Sequence, residues 1–245
     1  MLIEVIDESR RSSFVIRVDR AAEELSKSLP FTTVLSVWKD EVYFAAPIKL
    51  ELTSKIYKIE LGKVYYWSPG SAICIFYGVS EPYTPVTYLG EFIGSLTSLR
   101  VVEDGDEGKV TVHELDCSLS EATNMLRSLG YNVGTPLVDG IRVVAASKYV
   151  SGLRLGFTLY VEPYGYYLES EELHRHSDDY VHTALAHRIK EVLSDCEFLR
   201  FDVDEDDYAV LTIGVNDLEE LEEGLREMEL KYPQVIDVIR SLPMY

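Results

Sequence analysis

Three groups of side chains in this 245-residue sequence have the types and spacing that chemistry needs. The first is Glu41 and Tyr43 in the run V-W-K-D-E-V-Y-F, with Trp67 and Phe76 downstream. One carboxylate among aromatics is how many binding pockets are built, with apolar area for affinity and a polar group for orientation. A carboxylate between bulky strand residues is costly to bury alone, so Glu41 is either solvated or a hydrogen-bond anchor. The competing reading makes Trp67 and Phe76 ordinary core residues. The second group is His174, His176, His182 and His187, four of the five histidines, beside Asp178 and Asp179. Imidazole and carboxylate suit a transition metal. His182 and His187, however, stand ~140° apart on a helical wheel, so one ion cannot be met by both. His174 and His176 share a face only if their segment is extended. A solvated helix entry is the simpler reading, and the sequence assigns no metal. In the third group, Asp202, Asp204 and Asp206 occupy the first three ligand positions of a calcium loop. Asp207 then replaces the required Gly and Ile213 the required Glu, which leaves an acidic hairpin tip.

No nucleophile elbow, H-E-x-x-H helix or phosphate-binding Gly loop is present, so no cofactor is implied. Cys74, Cys117 and Cys196 are widely spaced without a C-x-x-C pair, which predicts reduced thiols. His113 reads as a strand-surface residue.

The elements that must position these groups are mostly strands. Val42 to Phe44 is β-branched and aromatic, and Pro47 marks its end. Lys63 to Trp67 and Ala72 to Tyr77 flank a Ser68-Pro69-Gly70 turn. Both faces of these strands are apolar, which requires a closed barrel or a covered sheet. A hairpin of Leu2 to Ile6 with Phe14 to Val18 comes first. A short helix follows, capped by Asp19, bearing Ala22, Leu25 and Leu29, and stopped by Pro30. Val86 to Ile93 reads as a strand, Leu99 to Val102 as the start of another, and 103–109 as a hairpin loop before Val110 and Val112.

Near Asp116 the character changes. Ser118 and Glu121 form a capping box for a helix carrying Leu119, Ala122, Leu126 and Leu129, ended by Gly130. Leu153 to Val161 alternates, with one face core and one wet. A helix from Asp178 to Leu193 and a hairpin of Phe198 to Val203 with Tyr208 to Val215 follow. Asn216 caps a helix with Leu218, Leu221, Leu225 and Met228, and Pro233 opens a last one with Val235, Ile236, Ile239 and Leu242. This order describes an α+β unit on an antiparallel sheet.

The first part resembles the compact cyclophilin-like family of archaea and bacteria. The resemblance rests on Leu29-Pro30, Trp38, Glu41, Tyr43-Phe44, Pro47-Ile48, Gly62, Tyr66-Trp67, Pro69-Gly70, Ala72, Cys74, Phe76 and Gly78, in order. It covers roughly residues 1–115. Lys39 replaces the Gly after Trp38, Lys63 the Asp after Gly62, and Ser68 the first Pro of the turn. The family's G-x-T-P-x-S has become G-V-S-E-P, in the loop expected to line a ligand mouth. The resemblance implies a small closed barrel and, as one possible activity, peptidyl-prolyl isomerisation. In true cyclophilins an arginine beside the proline pocket assists that reaction, whereas Arg10, Arg11, Arg17, Arg20 and Arg100 all lie outside the aromatic motif.

The formal charge of −19 falls as −5 on residues 1–115 and −14 on 116–245. Such a surface repels phosphate backbones, which argues against nucleic acid and favours a basic protein partner or simple solubility. No apolar run nears the ~18 residues of a membrane span, and the start M-L-I-E-V-I-D-E lacks a signal's lysines, so a cytoplasmic protein with no membrane partner is expected. The sequence therefore describes a mainly β cyclophilin-like barrel over 1–115 and an acidic α+β domain over 116–245. The expected function is non-catalytic binding of a peptide or small-molecule ligand through Glu41, Tyr43, Trp67 and Phe76. The alternative is a weak isomerase or folding helper.

Overall fold

The computed structural model describes residues 1–50 and 54–241. Eight antiparallel strands close a barrel: β1 (Leu2–Asp7), β2 (Ser12–Val18), β3 (Phe31–Val37), β4 (Glu41–Ala45), β5 (Lys63–Trp67), β6 (Ala72–Phe76), β7 (Thr87–Ile93) and β8 (Glu107–Val112). Around the barrel they run β1-β2-β7-β5-β6-β4-β3-β8 and return to β1. The interior is filled by alternate residues of each strand, among them Ile3, Val5, Phe14, Ile16, Val42, Phe44, Tyr66, Ile73, Ile75 and Leu89. That alternation fixes every other side chain to the outer wall.

The short helix α1 (Ala22–Ser26) plugs the barrel with Leu25. Asp19 does not cap it. Its carboxylate instead accepts from Arg17 Nε at 2.8 Å and the Tyr88 hydroxyl at 2.5 Å. The strand expected to begin at Leu99 is also absent: Leu96–Val101 is a 3-10 helix, with Ser95 Oγ accepting from Thr97 N.

The second half carries α2 (Ser120–Ser128), β9 (Asn132–Gly134), β10 (Leu137–Val138), β11 (Ile141–Arg142), β12 (Val144–Val150), β13 (Leu153–Glu162), β14 (Gly165–Ser170), β15 (His174–Arg175), α3 (Tyr180–Val192), β16 (Leu199–Val203), β17 (Tyr208–Val215) and α4 (Leu218–Arg240). Its main sheet runs β15-β17-β14-β13-β12-β9, with β16 also on β17, while β10 and β11 form a small ribbon. The helices cover one face through Leu126, Leu185, Ile189, Leu221, Leu225 and Met228 against Leu155, Phe157, Leu159 and Ile213.

Three local expectations are corrected here. Asp116, rather than Ser118, accepts the first free N–H, in the 3-10 turn that precedes α2. Asp217, rather than Asn216, caps α4. Pro233 lies inside one continuous helix instead of opening a new one. Met228, Tyr232 and Val235 share its buried side, and their packing outweighs the hydrogen bond that proline cannot donate. Leu242 lies outside the described residues.

The outer face of β13 is not simply wet, because the barrel covers part of it. Arg154, its side chain 8% exposed, donates to Gly94 O at 2.5 Å and pairs with Glu171. Close approach depends on small residues: a Cβ on Gly156 would stand 2.4 Å from Gly94 O, and one on Gly94 would stand 2.7 Å from the Ala145 methyl. His113 is likewise no surface residue. It is buried at the join, with Nδ1 3.0 Å from Glu4 Oε2 and Nε2 accepting from Thr135 N at 2.9 Å. Glu4 also accepts from Ser13 Oγ and Arg142 Nη1, each at 2.5 Å. No helix among the described residues is long and apolar enough to cross a membrane.

Candidate functional site

Because Val42 and Phe44 point into the barrel, Glu41 and Tyr43 must point out of it. Ile73 and Ile75 likewise turn Cys74 and Phe76 outward, while Val64 and Tyr66 turn out Tyr65 and Trp67. Register brings these residues side by side, with Tyr43 opposite Cys74, Cys74 opposite Tyr65, and Glu41 opposite Phe76. This apolar outer wall is covered by Ile56 and Ile59 from one loop and by Val86 from another, joined at the Ile56–Val86 bridge.

The cover is incomplete, leaving a cavity of about 270 Å³ lined by Trp38, Glu41, Tyr43, Trp67, Cys74, Pro82, Tyr83, Thr84 and Val86. Glu41, Tyr43 and Trp67 all line this cavity. Phe76 does not join them: it is fully buried beneath the floor, edge-on to Tyr65 at 6.1 Å between ring centres. Trp38, Tyr83 and Thr84 were missed as individual residues, although the departure at G-V-S-E-P marks the loop that carries Tyr83 and Thr84.

Short polar contacts hold the rim. Trp67 Nε1 donates to Thr84 Oγ1 at 2.7 Å. Asp40 Oδ2 accepts from Val79 N at 3.1 Å and Ser80 Oγ at 3.2 Å, pinning the start of the 78–86 loop. Gly78 is required there, since a Cβ would fall 2.5 Å from the Asp40 carboxyl carbon. Lys39, where the resembling pattern has Gly, keeps a left-handed φ of 55° and lays its ammonium over the Trp38 ring at 4.3 Å.

Glu41 is 7% exposed. Burial raises its pKa, and a hydrogen bond with the Cys74 thiol offsets only part of that rise. Burial and the neighbouring Glu41 in turn push the Cys74 thiol well up, making it a poor nucleophile. No Lys, Arg or His lies among the residues lining the cavity. The arrangement offers aromatic walls and a carboxyl group in need of a donor, which is a binding geometry.

The other sequence candidates lie elsewhere. The acidic tip is an ordinary turn, in which Asp204 Oδ1 accepts from Asp206 N and Tyr208 N. His174, His176 and His182 converge, whereas His187 is exposed on α3 apart from them. A larger cleft of about 500 Å³ at the join includes Arg100, Arg154, Glu171 and Glu172. Burial there, aided by Asp204 and Asp206, outweighs the Arg100 guanidinium and pushes the Glu172 carboxyl up to about 7.

Comparison with known proteins agrees with the barrel. Residues 1–113 match the family model described as cyclophilin-like. The solution structure of a hypothetical protein from Archaeoglobus fulgidus is 25% identical, covering 45% of this chain and 93% of that one, with a TM-score of 0.39. Curated proteins give no match.

Proposed function

We propose that the outer barrel wall is a non-catalytic binding module, taking a peptide or small molecule that is largely apolar and carries an N–H or cationic group for Glu41. The observation that carries this is the contrast between two buried carboxylates. Glu4 has Ser13, His113 and Arg142 as donors, whereas Glu41 has a thiol and an open, aromatic-lined cavity. A buried carboxyl group so poorly supplied costs stability, and a donor from outside would remove that cost.

The isomerase reading has less support. Arg10 pairs with Asp106, Arg17 with Asp19 and Glu91, and Arg100 with Glu172, while Arg20 stacks over Tyr88. None of the first part's arginines lines the aromatic cavity.

Both tryptophans of the chain line this cavity, so their fluorescence reports on it directly. Short apolar peptides with a free amino terminus or an arginine should change that emission saturably. Glu41→Gln should weaken binding ~10–150-fold, the equivalent of a charge-assisted bond of ~1.5–3 kcal/mol. The apo melting temperature at pH 7 should stay level or rise. An equal affinity in the variant, or a lowered apo melting temperature, would make Glu41 a structural group and overturn the reading.

A further inference from the structure

We propose that His174, His176 and His182 bind one divalent transition-metal ion, with Asp179 as the outer partner of His182. His174 lies in β15, held against β17 by the His174–Ala209 pair, and His176 N donates to Asp207 O at 2.6 Å. The segment is thus extended, and side chains two residues apart share one side. The first turn of α3 supplies the third ring. Asp179 fixes that turn by accepting from Val181 N at 2.8 Å and His182 N at 3.0 Å.

Ring centres lie 5.6 Å apart for His174–His182, 6.1 Å for His176–His182 and 6.4 Å for His174–His176. Around one tetrahedral zinc with Zn–N of ~2.0–2.1 Å, they would stand ~5.2 Å apart. Among the described residues no set of three or more His, Cys, Asp or Glu already stands at ligand geometry, so binding requires the rings to close by ~0.4–1.2 Å. Histidine χ2 is broad enough to allow that.

The hydrogen bonds favour a metal over other occupants. His174 Nδ1 lies 3.0 Å from Arg175 O, which can only accept, so Nδ1 carries the hydrogen and Nε2 the lone pair. That Nε2 is buried without a partner, as is His176 Nδ1. His182 Nδ1 lies 2.6 Å from Asp179 Oδ2, the carboxylate–histidine pairing that orients metal-bound imidazoles and leaves Nε2 free. Three neutral nitrogen donors suit zinc, nickel or copper and leave one coordination position for water.

The test uses untagged full-length protein, stripped with EDTA and titrated with zinc by calorimetry, then with cobalt in the visible range. One equivalent should bind, with ligand-field bands in the cobalt form and a raised melting temperature at saturation. Asp179→Asn, which preserves the helix cap, should weaken binding about 10–100-fold. His174→Ala with His182→Ala should weaken it further, and His187→Ala should change nothing. Should the double variant fail to fold, cobalt-induced NMR shifts in the intact protein must still single out His174, His176 and His182 over His113 and His187. Failure to bind one equivalent, equal affinity in a folded double variant, or shifts centred on His187 would overturn the site.

Discussion

Replacing Glu4 by Gln preserves its shape but sets up a conflict that no rotamer resolves. Glu4 Oε1 receives Ser13 Oγ and Arg142 Nη1, while Oε2 receives His113 Nδ1. A Gln amide turned toward Oε1's place meets the Arg142 guanidinium as donor against donor. Turned the other way, it meets His113. Moving the imidazole proton to Nε2 then sets that proton against Thr135 N. One charge-assisted bond, worth ~1.5–3 kcal/mol, is lost and one buried donor is left unmet at ~1–3 kcal/mol. Arg142, its side chain 32% exposed, recovers part of its hydration, so the sum falls at about 3–5 kcal/mol. For a chain of this size that is a fall of ~6–20 °C in melting temperature. Burial alone would raise the Glu4 pKa, but bonds from His113, Ser13 and Arg142 together hold it below the ordinary value. Its contribution is therefore present above the unfolded carboxylate pKa and is lost as pH falls through the lower folded one. Scanning calorimetry of both proteins between pH 3 and pH 7 should show the gap at pH 7 and its closure in acid. A difference below ~2 °C at pH 7, or parallel acid limbs, would refute the reasoning.

Other outcomes follow from the same contacts. Glu172, its carboxyl pushed up to about 7, binds its proton more tightly folded than unfolded, so stability drains away as pH rises from ~4.3 to 7. Melting curves of Glu172→Gln should lack that slope, and parallel profiles from pH 5 to pH 8 would count against it. Gly156→Ala must move backbone, because its Cβ would meet a carbonyl oxygen; a loss of ~1–3 kcal/mol by denaturant titration is expected, and a neutral result would contradict the packing. Residues 1–115, whose strands close the barrel without help from the rest, should fold when expressed alone, at a lower melting temperature because Thr135 and Arg142 are missing. An unfolded fragment by circular dichroism would defeat the proposal that they are a separate domain.

Wherever neighbours along the chain settled the matter, the fold was legible. Val42 and Phe44 alternating with Glu41 and Tyr43 describe a two-sided wall, and the pocket is the outer side of it. Leu153 to Val161 showed its core face by the same rule, yet nothing local says that Arg154 and Gly156 meet a barrel. Glu4 and His113 are 109 positions apart, so their bond has no trace in periodicity. Phe76 and Trp67 share a residue class and an outward direction; only the covering loops decide that Trp67 lines the cavity and Phe76 is sealed below. Pro233 reads as a helix start because local rules weigh its missing donor and not the packing of Tyr232 and Val235.

Gly94, Ala145 and Gly156 leave the join between barrel and sheet no slack. Each side is free to exchange one apolar residue for another within its own core, since those changes are absorbed there. A methyl group gained at the join has nowhere to go unless one is given up opposite. Anyone transplanting this acidic half onto a different barrel would find that linker length matters less than these three small residues. They, together with the carbonyls of Phe92 and Gly94 that receive Arg154, form the socket that has to travel with the graft.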